Sequence, residues 1–124
     1  MRLDASRIAD ILDCARAVAE RFSRHSLDSL TETPDAVKAT FYDIIVMGEA
    51  MRDLVARKDS WVKTGEDAPI VRDNPHIPWS SWIGMRDMVT HQYFRAAPEL
   101  VWRDYESGEL QRLIDCCALW LKEI

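Results

Sequence analysis

Glycine and proline are scarce in this sequence, at four and five of 124 residues. That scarcity excludes a fold of many short strands and tight turns and favours long helices. Cysteine is as sparse: Cys14, Cys116 and Cys117 form an odd set, two of them adjacent and none in a C-x-x-C pair. A disulfide framework is thereby excluded, and free thiols in a reducing, cytoplasmic setting are expected. No apolar run approaches the roughly 20 residues that span a bilayer. The opening MRLDASRIADILD sets acids within its apolar pattern, so neither a signal peptide nor a membrane partner is expected. Positive charge is also short, with 16 Lys and Arg against 21 Asp and Glu and a formal net charge of −5. Proteins that hold nucleic acid chiefly by neutralising phosphates carry a basic balance. Any RNA contact here must therefore be local, or created by an assembled surface. Metal-ligand spacing is missing too: His25, His76 and His91 fall in separate elements without an H-x-x-x-H or E-x-x-H pair. The P-loop, the dinucleotide-binding glycine pattern and the nucleophile elbow are all lacking, so no metal, cofactor, nucleotide-hydrolase or serine-hydrolase site is expected.

What is there is an apolar content of 48% beside 30% charged residues, the balance of a soluble globular chain. A length of 124 residues makes residues 1–124 one domain. A chain of this size buries roughly two-thirds of its unfolded surface, enough for a single core. Residues 4–23 place Ile8, Ile11, Leu12, Ala15, Val18, Ala19 and Phe22 on one helical stripe. Residues 23–35, SRHSLDSLTETPD, read as a loop with room for one short turn. Thr33 as cap and Pro34 in the first turn start a second helix. Val37, Phe41, Ile44, Ile45, Gly48, Met51, Leu54 and Val55 carry its rhythm to about Arg57. Residues 58–78 are a connection with a short helix in its middle. Pro78 opens a helix over residues 79–93, Pro98 a shorter one, and Gly108 separates the last helix, residues 109–123. Nothing alternates as a strand would, so the fold class is all-α, a bundle of four to five helices. The five tryptophans are expected in the core or at an interface rather than as base-stacking platforms. His25 and His76 read as solvated loop histidines.

One run, RDMVTHQYF over residues 86–94, sets Arg86, His91 and Tyr93 on an apolar background. At about 100° per residue Arg86 and Tyr93 share a helix face, whereas His91 is about 140° round from Arg86. Three arrangements bring Arg86 and His91 together: a reaching arginine side chain, a helix that ends near His91, or a second copy of the chain. Spacing alone does not make a site, and on spacing alone the three are ordinary polar residues. Their chemistry is nevertheless specific. A histidine exchanges protons near neutral pH, and an arginine holds a phosphate through two parallel hydrogen bonds. Together they suit metal-free RNA cleavage, in which the ribose 2′-OH attacks the adjacent phosphorus and the 5′-oxygen leaves. A positioned acid or base contributes about 10²–10⁴-fold to a rate, which fits slow, selective cutting.

The segments TPDAVKATFYDIIVMGEA (33–50), HIPWSSWIGMRDMVTHQYF (76–94) and PELVWRD (98–104) carry a resemblance that covers nearly the whole chain. In order and spacing it resembles the HEPN superfamily (higher eukaryotes and prokaryotes nucleotide-binding), and within it the HepT-like toxins. The family signature of an arginine, four residues, a histidine, one residue and a tyrosine matches Arg86, His91 and Tyr93, with Asp87 as the usual polar residue after the arginine. The chain departs from its relatives after Phe94, where RAAPEL stands in place of a common Gly and Asp. The resemblance implies an up-and-down helical bundle, and a homodimer that brings both copies of Arg86 and His91 to a shared cleft. It implies a metal-independent endoribonuclease with no cofactor, the toxin of a type II or type VII-like toxin–antitoxin pair. The partner would be a minimal nucleotidyltransferase antitoxin of the MNT type, which can transfer AMP to the signature tyrosine, here Tyr93. Arg95 and Arg103 are further phosphate-contact candidates, and Glu49 is the acid expected to pair with Arg86. Two alternatives stand beside this reading. One is a non-catalytic, dimeric substrate subunit of a nucleotidyltransferase. The other is a structural helical domain in which the Arg86–Glu49 pair serves only the fold.

Overall fold

The computed structural model describes residues 2–57, 63–91 and 97–124. Among these residues the regular elements are seven helices and no strand. They are α1 (Arg2–Ser23), α2 (Leu27–Thr31), α3 (Pro34–Arg52), α4 (Pro69–Asp73), α5 (Trp79–Thr90), α6 (Ala97–Ser107) and α7 (Glu109–Glu123). Five are long and form the expected all-α bundle; α2 and α4 are five residues each. Helix α3 packs against both α5 and α1, α7 lies against α1, and α6 lies beside α7. The stripe read from the sequence is the core side of α1: Ile8, Ile11, Ala15 and Val18 are wholly buried. It meets Ile44, Met47 and Met51 of α3 and Leu110, Leu113 and Cys117 of α7 in one cluster. Burying each such large side chain stabilises by about 1.5–3 kcal/mol, against about 0–1 for a surface ion pair, so the apolar stripes hold the bundle together.

One polar seam crosses this core between α1 and α3. Arg21 donates to Asp43 Oδ2 at 2.9 Å and to Thr40 Oγ1 at 3.1 Å. The Thr40 hydroxyl donates in turn to the Ala36 carbonyl at 2.8 Å. Burial, then the charge of Asp43, push the nearby Cys14 thiol up to about 12, and burial does the same for Cys117. All three cysteines are free. The two with strongly raised values stay protonated at neutral pH and act as small apolar side chains.

The described tryptophans also go inward. Trp79 and Trp82 are buried and Trp102 and Trp120 partly so, while Trp61 lies outside the described residues. Phe22 sits 5.0 Å from Trp102 and 5.5 Å from Tyr105, ring centre to ring centre, which ties α1 to α6.

Four local features differ from the sequence reading. The stretch after α1 forms the short helix α2, nucleated by a reciprocal cap. Ser26 Oγ accepts from the Ser29 amide at 3.1 Å and Ser29 Oγ accepts from the Ser26 amide at 3.2 Å. The wholly buried Leu30 anchors it. Thr33 holds the cap position of α3, but its hydroxyl donates back to the Ser29 carbonyl at 2.7 Å instead of capping.

Helix α3 ends at Arg52 rather than near Arg57, because Ala56 and Arg57 turn left-handed at φ 55° and 40°. Three contacts hold that turn: Ala56 N–H to Asp67 at 2.7 Å, Ala68 N–H to the Leu54 carbonyl at 2.8 Å, and a buried Arg57–Asp4 ion pair at 2.7 Å. Leu54 remains wholly buried past the helix end, so its apolar character mimicked another helical turn. Helix α5 stops at Thr90, with His91 as its C-cap.

Candidate active site at the crossing of helices α3 and α5

The rotation of α5 about its own axis is set by its tryptophans. Trp79 and Trp82 are three apart and both buried, and the Trp79 indole N–H donates to the Asn74 carbonyl at 3.0 Å. With that face turned inward, Arg86 points at α3, where it meets Gly48. A Cβ built on Gly48 would lie 2.6 Å from Arg86 Cγ and closer still to Arg86 Cβ. The absence of a side chain at residue 48 thus lets the arginine stem rest on the α3 backbone.

Two ion pairs cross between the helices next to this contact. Arg86 Nη2 of α5 binds Glu49 Oε1 of α3. Arg52 Nη2 of α3 binds Asp87 of α5, at 3.0 Å to Oδ1 and 3.3 Å to Oδ2. Arg86 Nη1 also donates to Asp87 Oδ1, at 2.8 Å, so a single carboxylate oxygen joins two guanidinium groups. The Arg86 side chain is 20% exposed and that of Glu49 is 52% exposed. The hydrogen bond to Asp87 raises the Arg86 pKa above the ordinary guanidinium value; burial works against this, and the charge of Glu49 adds to it. Arg86 is a fixed cation. Its Nε–H is buried without a hydrogen-bond partner among the described residues.

His91 follows at the end of α5, exposed, with its amide donating to the Asp87 carbonyl at 3.0 Å. Asp87 and His91 are one helical turn apart and so share a face. The Arg86 guanidinium reaches round to Asp87, and α5 ends at Thr90 with His91 as its C-cap. Tyr93 and Arg95 lie outside the described residues. Arg103 is exposed and lines a different groove, with Met85 and Met88 of α5, and so is not part of the Arg86 cluster. His25 is engaged with Ser29 Oγ at 2.7 Å, and His76 is exposed beside α4.

Two members of the cluster, Gly48 and Arg52, were not singled out by sequence reasoning. The available signal was the run GEAMR over residues 48–52. In a helix it places Gly48, Glu49 and Arg52 within one turn on neighbouring positions. Among the described residues no group of three or more His, Cys, Asp or Glu side chains converges as metal ligands would. No helix of the described residues is long and apolar enough to cross a membrane.

The protein-family model described as Ribonuclease HepT-like matches residues 11–118, which include every residue of this cluster. No curated protein and no solved structure matches the chain.

The Gly48 contact is testable through the sign of one substitution. In a helix interior Gly→Ala ordinarily stabilises, by about 0.5–1 kcal/mol. Here Gly48→Ala is expected to destabilise by about 1–3 kcal/mol in urea unfolding, because the new methyl overlaps the Arg86 stem. A stabilising result would show that the two helices part without cost.

Proposed function

Because the chain belongs to the HepT-like ribonuclease family, we propose that it is the endoribonuclease toxin of a toxin–antitoxin pair and cuts RNA without a metal ion. The observation that carries this reading is the Arg86 guanidinium, held by Asp87 one helical turn before the exposed His91 that caps α5. Arg86 holds the scissile phosphate and offsets its charge as the bond order changes. The ribose 2′-oxygen attacks phosphorus, a new 2′-O–P bond forms, and the bond to the 5′-oxygen breaks. His91 handles the proton that must leave the 2′-hydroxyl or arrive at the departing 5′-oxygen. In a homodimer two copies of His91 face one cleft, so that one can take the proton and the other deliver it. The work is cytoplasmic, beside the RNA.

The antitoxin in this reading is a minimal nucleotidyltransferase of the MNT type that moves AMP from ATP onto Tyr93. Tyr93 lies two residues beyond His91 in the sequence. Each added AMP brings an anionic phosphodiester and a bulky nucleoside, which repel and block an RNA backbone. The alternative, a non-catalytic subunit that only presents Tyr93 to the transferase, needs neither Arg86 nor His91 for any reaction.

A cleavage assay separates these readings, and a second experiment tests the regulation. Purified protein should cut RNA at a rate that EDTA leaves unchanged. Arg86→Ala and His91→Ala should each lower that rate by about 10²-fold or more with the helical circular dichroism intact. His91→Ala cutting at the wild-type rate would remove His91 from the mechanism. For the regulation, intact-mass spectrometry after co-expression with an MNT-type nucleotidyltransferase should show added multiples of one AMP, absent in Tyr93→Phe. An unmodified mass would leave inhibition to binding alone.

A further inference from the structure

Arg86 has two carboxylate partners, and they are not equivalent. Asp87 is held by two guanidinium groups through one oxygen, at 2.8 Å from Arg86 and 3.0 Å from Arg52. Among the described residues Glu49 is held by Arg86 alone, and it is the more exposed of the two, at 52% against 39%. Glu49 also lines an open groove of about 330 Å³ with Arg7, Asp10 and Asp53, so its side chain has space into which to withdraw. The Arg86 stem has no such freedom, since it rests against Gly48.

The edge of the guanidinium that Glu49 occupies is also incompletely used. Nη2 and Nε form one edge of the planar group, the edge that grips a phosphate through two parallel hydrogen bonds. Glu49 binds Nη2 through a single oxygen, and Nε–H is buried and, among the described residues, unpaired. A phosphodiester has two non-bridging oxygens and can satisfy both donors. Arg52, meanwhile, uses only Nη2 among the described residues and is 37% exposed, which leaves its remaining donors to a ligand.

We propose that Arg52 and Arg86 together form the seat of one RNA backbone phosphate, with Asp87 as the strut between them and Glu49 as the resident carboxylate that the phosphate displaces. This rests on the ribonuclease reading for its ligand and adds two roles to it. Arg52 is a phosphate-binding residue. Glu49 is a competitor that weakens RNA binding, so the site closes on RNA only when a phosphate replaces it. With Glu49 in place the two arginines and two carboxylates sum to zero; with Glu49 withdrawn, the seat carries one net positive charge within a chain of net charge −5.

The test is the affinity of the full chain for a fluorescent single-stranded 2′-O-methyl RNA, which cannot be cut by 2′-OH attack, measured by anisotropy over a range of salt. Glu49→Gln should bind about 5- to 10-fold tighter than wild type, and Glu49→Ala should agree with it. Arg52→Gln should bind about 5- to 10-fold weaker and reduce the slope of log affinity against log salt by about 0.7, the loss of one phosphate contact. Circular dichroism checks that each variant is folded. Glu49→Gln binding no tighter than wild type, or Arg52→Gln keeping the wild-type slope, overturns the proposal. Cleavage of unmodified RNA by wild type and by His91→Ala runs beside it. Cleavage that needs His91 without tightening in Glu49→Gln defeats the phosphate seat alone. Tightening without any cleavage defeats the ribonuclease reading and leaves the seat standing.

Discussion

The stem of Arg86 lying on the backbone of α3 at Gly48 is the contact on which the site depends. It fixes how closely α3 and α5 approach, and it fixes where a charged group sits, at 20% exposure between two helices. A cation drawn that far out of water needs anions, and the neighbours on the two helices supply them, Glu49 from α3 and Asp87 from α5. Asp87 in turn draws in Arg52 from α3. A side chain at residue 48 would disturb all four. The tryptophans upstream serve the same end, since burying Trp79 and Trp82 decides which face of α5 turns towards Gly48.

The cluster also answers the objection raised by the net charge of −5. A protein this acidic cannot rely on a diffuse positive field to gather RNA. It can rely on two guanidinium groups fixed by one carboxylate oxygen, whose positive charge is local and whose geometry is preset. Arg103, on α6, opens onto a different groove, with Met85 and Met88 of α5. In the proposed reading, recognition is a matter of one preset phosphate position on the helix that His91 caps.

The long helices were legible because their information is repetitive. In α1 and α7 every third or fourth residue repeats the same instruction, and Gly108 at φ 89° marks the boundary before α7. Features written in single residues were not legible. Helix α2 depends on one pair of serines that cap each other, where a Glu or Gln at the second position is the usual sign. The end of α3 depends on Ala56 and Arg57 adopting a left-handed turn that neither residue type advertises, held by Asp4 from the far end of α1. At the site, Arg86, Asp87 and His91 were legible from the signature and Glu49 from the need to pair a half-sequestered arginine. Gly48 looked like one more apolar position on the α3 stripe, and Arg52 like an ordinary surface charge. Their roles exist only where residues 35 or more apart in sequence are brought into contact between two helices, which periodicity within one helix does not report.

The central claim is that this site drives attack by the ribose 2′-oxygen, and the chemistry of the RNA ends tests it most directly. RNA cut by the purified protein should carry a 2′,3′-cyclic phosphate on one fragment and a 5′-hydroxyl on the other. A single 2′-deoxy substitution on the 5′ side of the cut should abolish cleavage there. Fragments ending in a 3′-hydroxyl and a 5′-phosphate, or undiminished cutting at the deoxy position, would contradict the account.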